Sequence, residues 1–273
     1  MATRQVNGVA LYYEEHGGGQ PILGIHGTGS SALLWQGAIP ELSRRGRLIL
    51  YDRRGCTRSQ RPEPYAATSI AVHADDAAEL LRILGAAPSV IIGRSYGGEV
   101  AVALALRHPD VVEALVLLEP SMPLLSPLSR EWLEGMRSEL EIEPEAAGEI
   151  LCRSVLGEQT WNAFPEEVQQ IFRDNGPAVH AELNGAWTDP DIEALSRLTQ
   201  PTLLVSAYGS PPAFRAADDA LAARLPGSRR ALVPGGHLVH PAGPAVLRFL
   251  DEIRPVPWLG PGRTGVGRQG ASR

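Results

Sequence analysis

Lysine is absent from this chain, and all 25 basic side chains are arginine. Reactions that run through a lysine Schiff base therefore cannot be supported by its own side chains. Cysteine is nearly absent too. Cys56 and Cys152 alone cannot build a disulfide framework or a multi-cysteine zinc site, and they suit a reducing cytosol. No stretch approaches the roughly 18 consecutive apolar residues that span a bilayer. The opening MATRQVNGVALYYEE has no apolar run followed by a small-residue cleavage site, so no secretory signal is expected and the expected location is cytoplasmic. A formal net charge of -6 argues against non-specific nucleic-acid binding, which needs a concentrated basic surface. There is no His-Glu-x-x-His and no clustered Cys/His pattern, and Gly17 to Gly19 lack the Gly-Lys-Ser/Thr ending of a phosphate cradle and read as a hairpin loop. No cofactor or metal is expected. The expected partner is a small-molecule substrate, with no nucleic acid and no membrane; a homodimer is left open.

What is present is ordinary globular composition, 44% hydrophobic and 21% charged over 273 residues, enough for a substantial core. Short apolar runs bounded by Gly and Pro recur at Leu11 to Tyr13, Ile22 to Ile25, Leu48 to Tyr51, Val90 to Ile92 and Leu115 to Leu118, and read as strands. Ala71 to Leu84 and Gly98 to Arg107 read as helices linking parallel strands. Residues 121–196 break this alternation with helical segments at Ser129 to Leu140, Pro144 to Leu156 and Pro165 to Phe172. Strands resume at 201–206 and Arg230 to Val233, with helices at Ala216 to Arg224 and Pro244 to Ile253. The expected fold class is α/β: a mostly parallel central sheet with helices on both faces, residues 1–120 and 197–253 forming the core and 121–196 an inserted helical lid. Residues 254–273, rich in Pro, Gly and Arg, are expected to form a flexible tail.

The strongest chemical signal is Val90-Ile-Ile-Gly93-Arg94-Ser95-Tyr96-Gly97-Gly98, a strand, a Gly-x-Ser-x-Gly turn and an Ala-rich helix. A sharp strand-to-helix turn holds such a serine in a strained conformation with Oγ above the sheet, and the glycines let the backbone pass closely. With Gly24-Ile-His26-Gly27-Thr28-Gly29 after an early strand, Asp52-Arg53-Arg54-Gly55-Cys56-Thr57-Arg58-Ser59, and Gly235-Gly236-His237 after the last strand, the chain resembles the α/β-hydrolase family over roughly residues 5 to 253. The resemblance implies Ser95 as nucleophile, His237 as its general base, and backbone N–H groups of Thr28 and Tyr96 as oxyanion donors. His26 is expected to brace its loop or to border the substrate. His240, three residues beyond His237, is the weaker candidate for the base. Thr57 stands where the family usually has Gly, which touches local turn geometry.

Most family members carry the triad acid after the penultimate strand, but Leu204 to Phe214 contains no carboxylate. Some branches place the acid one strand earlier, and here Glu119 closes Leu115-Val-Leu-Leu-Glu119 at the active edge of the sheet. Glu119 is the preferred acid, with Asp218 or a Ser-His pair without an acid as alternatives; Asp52 reads as a turn anchor. Arg94, beside the serine, either pairs with a buried acid or meets an anionic substrate group. A serine nucleophile favours acyl transfer at a carbonyl, so the expected activity is hydrolysis of an ester or lactone of a small apolar molecule. Trp132, Trp161, Phe164 and Trp187 in the lid suggest an apolar binding surface. The rivals are a non-hydrolytic enzyme of the same fold, a lyase or cofactor-free oxygenase, and a non-catalytic small-molecule receptor on the same scaffold.

Overall fold

The computed structural model describes residues 2–140, 144–185, 192–225 and 227–254. Eight strands form one sheet: β1 (Ala2–Val6), β2 (Val9–His16), β3 (Pro21–Ile25), β4 (Arg47–Tyr51), β5 (Ser89–Arg94), β6 (Val112–Leu118), β7 (Thr202–Ala207) and β8 (Arg229–Val233). Their spatial order is β1-β2-β4-β3-β5-β6-β7-β8, with β2 antiparallel to both neighbours and every other pairing parallel. The apolar runs belong to strands covered on both faces, where alternate side chains enter different cores. Along β6, Leu115 and Leu117 pack into one core while Ala114, Val116 and Leu118 pack into the other.

Among the α-helices, α1 (Ile39–Leu42) and, much later, α10 (Pro244–Ile253) cover the face fed by Ala114 and Val116, with Trp35, Leu42, Val246 and Phe249 in that core. On the opposite face lie α2 (Ile70–Ile83), α3 (Tyr96–Arg107) and α9 (Pro212–Arg224), which bury Ala74, Val100 and Leu221. Ser69 caps α2, its hydroxyl accepting from the Val72 N–H.

Between β6 and β7 the chain forms α4 (Pro127–Leu140), α5 (Ala147–Leu156), α6 (Glu158–Ala163), α7 (Glu166–Asp174) and α8 (Gly176–Asn184), with small apolar clusters of their own. Two buried polar links tie them to the sheet. Asn175 donates to the Gly29 and Ser30 carbonyls and accepts from the Thr57 N–H at 2.7 Å, and Glu182 pairs with the buried Arg53 guanidinium. Thr57 has φ 45°, the left-handed region that glycine favours, and its contacts with Asn175 hold it there.

One expectation needs correcting. Gly17 to Gly19 do not close a hairpin, because β2 and β3 are not neighbours; the loop carries the chain past β4, which lies between them. The hairpin is at Asn7-Gly8, both at positive φ, joining β2 to the unforeseen edge strand β1. The helical stretches at 158–163 and 176–184 were likewise not foreseen. The tail expectation concerns residues almost all outside those described.

Candidate active site

The site is assembled at the carboxyl ends of β3, β5, β6 and the loop after β8. Ser95 follows directly on β5 with φ 51° and ψ -123°, a conformation a non-glycine residue holds at a cost of about 1–3 kcal/mol. The surrounding backbone enforces it. Ser95 N–H donates to the Leu118 carbonyl, and the Ser95 carbonyl accepts from the Gly98 and Ser121 N–H groups at 2.7 and 3.1 Å. A Cβ on Gly97 would lie 2.3 Å from the Ile25 carbonyl oxygen, and one on Gly93 equally close to the Gly97 carbonyl oxygen, so both glycines are demanded by close backbone approach.

His237 is buried in the loop that follows β8, its ring 4.2 Å from that of Phe214. Its Nδ1 lies 2.8 Å from Oε2 of Glu119. Glu119 is fully buried at the end of β6, itself at φ 47°. Its carboxylate also accepts from the Ala207 N–H at 2.6 Å and from the Ser210 hydroxyl, which lies 2.7 and 2.6 Å from the two oxygens. Burial would raise its pKa, but the hydrogen bonds and charge of His237, with those of Ser210 and Ala207, hold the carboxyl below its ordinary value. A Glu119 carboxylate in that setting fixes the proton of neutral His237 on Nδ1 and leaves Nε2 as the basic nitrogen.

Ser95 and His237 line one cavity with Gly27, Thr28 and Arg94, closed over by apolar side chains that include Leu34, Trp132, Leu151, Phe172 and Phe214. Gly27 packs so closely on the serine that a Cβ there would sit 3.2 Å from Ser95 Cβ. Tyr96 opens α3, and the first N–H groups of a helix make no hydrogen bond within it. Its ring is buried, with the Arg53 guanidinium 4.7 Å above it.

His26 is not on the cavity wall. It is buried beneath it, with Nδ1 against the Gly27 carbonyl and Nε2 accepting from the Arg53 N–H, each at 2.9 Å. Burial and the Arg53 charge push its pKa well below the ordinary value, so the ring is a neutral brace. Arg53 completes the brace by donating to the His26 and Gly27 carbonyls. Trp161 is also off the wall, buried edge-on against Phe172 between Arg153 and Arg173; the apolar interior behind the cavity claims it. Trp132 is on the wall, in edge contact with Phe214. Trp187 lies outside the described residues. His240 borders a different groove. Asp52 accepts from Ala32 N–H and from Arg58, as a turn anchor does. Asp218 binds the Ser206 hydroxyl and does not reach His237.

Sequence reasoning passed over Ser210 and Phe214. Both fall in the segment searched for an acid, where a hydroxyl that recruits the acid from β6 carries no recognisable motif.

Residues 20–244 match the α/β-hydrolase fold family. The chain is 32% identical over 190 residues to an uncharacterised hydrolase, YraK, of Bacillus subtilis (strain 168), covering 62% of this chain and 68% of that one. It is 34% identical over 131 residues to a 2-hydroxymuconate semialdehyde hydrolase of Pseudomonas sp. (strain CF600), a match that spans 46% of each protein. Among solved structures, a thermophilic esterase from Thermogutta terrifontis superposes with a TM-score of 0.71 at 28% identity, over 93% of this chain and 95% of that one.

Proposed function

Because the chain belongs to the α/β-hydrolase fold family and is a hydrolase of it, we propose that it cleaves a carboxylic ester or lactone of a small apolar molecule through an acyl-enzyme on Ser95. The observation that carries this reading is the 2.8 Å contact of His237 Nδ1 with the buried Glu119, on the cavity that the strained Ser95 also lines.

In this mechanism His237 Nε2 takes the Ser95 hydroxyl proton as Oγ attacks the carbonyl carbon. The tetrahedral oxyanion is met by the N–H groups of Thr28 and Tyr96, each donor typically worth about 3 kcal/mol of barrier. Glu119 stabilises the imidazolium. His237 then passes its proton to the departing alkoxide as the C–O bond breaks and the ester of Ser95 forms. Water, deprotonated by His237, attacks that ester, releasing the acid and restoring the serine. For a lactone the same sequence opens the ring, and the protonated leaving oxygen stays on the acyl group as a hydroxyl.

Helices α4 to α8 serve as the lid over the reacting carbonyl, and their apolar side chains, Trp132 among them, favour a substrate with an apolar body. The two free buried cysteines suit a cytoplasmic setting.

A fluorophosphonate probe read by intact-protein mass spectrometry tests the reading. One adduct on the wild type, absent in Ser95→Ala and His237→Ala and slowed in Glu119→Gln, is expected. Folded wild type that takes no adduct overturns it.

A further inference from the structure

We infer that Arg94 is a carboxylate subsite: the substrate carries, besides the carbonyl attacked by Ser95, an ionised carboxyl group that the Arg94 guanidinium receives. The inference rests on the reading of Ser95 as nucleophile and adds a charge to the expected substrate.

Arg94 is the last residue of β5, immediately before Ser95, and it is 8% exposed. Arg94 is among the residues that line the same cavity as Ser95 and His237. Among the described residues it makes no hydrogen bond and no ion pair, and its buried Nε has no acceptor. Its one ring contact is Trp35, 5.6 Å from the guanidinium carbon, which offers a π face and no acceptor oxygen.

The fold treats other enclosed arginines differently. Fully buried Arg53 is paired with Glu182 and donates to two carbonyls, and the partly buried Arg54 and Arg58 grip Asp76 and Asp52. Glu119 is no partner for Arg94, since its carboxylate is taken up by His237, Ser210 and the Ala207 N–H. Burying an uncompensated cation is costly, and among the described residues only the Trp35 ring face offsets any part of it. Burial alone pulls its pKa down to about 10, still far above neutrality, so the group enters the cavity wall as a cation. The two histidines in its field gain no negative charge on titration; Arg94 only helps to keep His26 and His240 deprotonated.

The ligand class follows from the shape of the donor. A guanidinium is a planar fork that fits two oxygens of one carboxylate, and it is strongest where water is excluded. The apolar wall, with Leu34, Trp132 and Phe214, receives the rest of the molecule. A half-ester of a dicarboxylic acid, or a lactone bearing a carboxyl group, combines these features, whereas a plain alkyl ester leaves the cation unmatched.

Two measurements test this. Calorimetric titration of Ser95→Ala, which has no nucleophile, uses 4-phenylbutanoate and its neutral twin 4-phenylbutanamide as probes. The acid is expected to bind at least about tenfold more tightly, and the preference to vanish in Ser95→Ala/Arg94→Met. In turnover, wild type is compared with Arg94→Met on mono-p-nitrophenyl glutarate and p-nitrophenyl butanoate. The ratio of the two kcat/KM values is expected to fall by about 10- to 100-fold in the variant, with Arg94→Lys between the two. Equal affinity for acid and amide in Ser95→Ala, or an unchanged kcat/KM ratio in Arg94→Met, overturns the subsite. The acid-over-amide comparison needs no Arg94 variant, so a misfolded variant leaves it decisive. Fluorophosphonate labelling of the wild type reports on Ser95 separately, so loss of the acyl-enzyme reading and loss of the subsite are told apart.

Discussion

Replacing Glu119 by Gln keeps the shape of the side chain and removes its charge, and the surroundings determine how much that removes. The carboxylate accepts from His237, Ser210 and the Ala207 N–H, all within 2.8 Å. An amide has one oxygen. If it serves Ala207 and Ser210, the NH2 group faces His237 Nδ1 and forces the imidazole to accept there, placing its proton on Nε2, the tautomer that cannot receive a proton from Ser95. Even in the correct tautomer, the charge-assisted hydrogen bond, about 1.5–3 kcal/mol, becomes an ordinary one. The attraction between carboxylate and imidazolium, about 4 kcal/mol for charges 4 Å apart at an effective dielectric constant near 20, is lost as the imidazolium forms. Together these come to about 5 kcal/mol, or a fall in kcat of about 10³- to 10⁴-fold. The assay is p-nitrophenol release from p-nitrophenyl butanoate at pH 7, with thermal midpoints measured alongside to confirm folding. A folded Glu119→Gln enzyme with kcat within tenfold of wild type would refute the reasoning.

Further outcomes follow from the packing. Gly97→Ala places a methyl 2.3 Å from a backbone oxygen that cannot swing aside, and is expected to destabilise by about 3 kcal/mol, seen as a thermal midpoint several degrees lower. Glu182→Leu leaves the fully buried Arg53 without its carboxylate and is expected to cost about 3–5 kcal/mol in urea denaturation. The surface pair Arg82–Asp110, disrupted by Asp110→Asn, is expected to shift the same transition barely at all. Burial pushes the Asp218 carboxyl up to about 8. A raised acid favours folding below its unfolded pKa of 3.8, and the advantage is lost as the pH rises towards 8, because the unfolded chain ionises first. Asp218→Asn is therefore expected to gain stability relative to wild type steadily across that range in thermal melts, and a pH-independent difference would contradict the burial argument. The Glu119 carboxyl, held low, behaves oppositely: its stabilisation is present above the ordinary 4.5 and is lost as acid carries the pH through its depressed value.

The central strands were legible in the sequence because a strand covered on both faces must be apolar at every position, as Leu115 to Leu118 are, and such runs need no partner to be recognised. The edge strand Ala2–Val6 was not, because its exposed residues carry no such pattern, and its pairing with β2 is set by the Asn7-Gly8 turn. Gly17 to Gly19 misled for a related reason, since glycine marks a bend without saying which strands the bend connects. Gly-x-Ser-x-Gly marked Ser95 as the candidate nucleophile because the strained turn is local, its demands falling on residues within two positions of the serine. Chain order alone pointed to His237. The sequence preferred Glu119 among a few candidate carboxylates but does not contain its contact with His237, which crosses from β6 to the loop after β8, over 118 residues of chain. Tertiary structure alone brought that contact into being, set the Ser210 hydroxyl against the same carboxylate, and left Arg94 with no acid of its own among the described residues. Whether a charge is paired depends on what the rest of the chain folds against it, and no local pattern contains that.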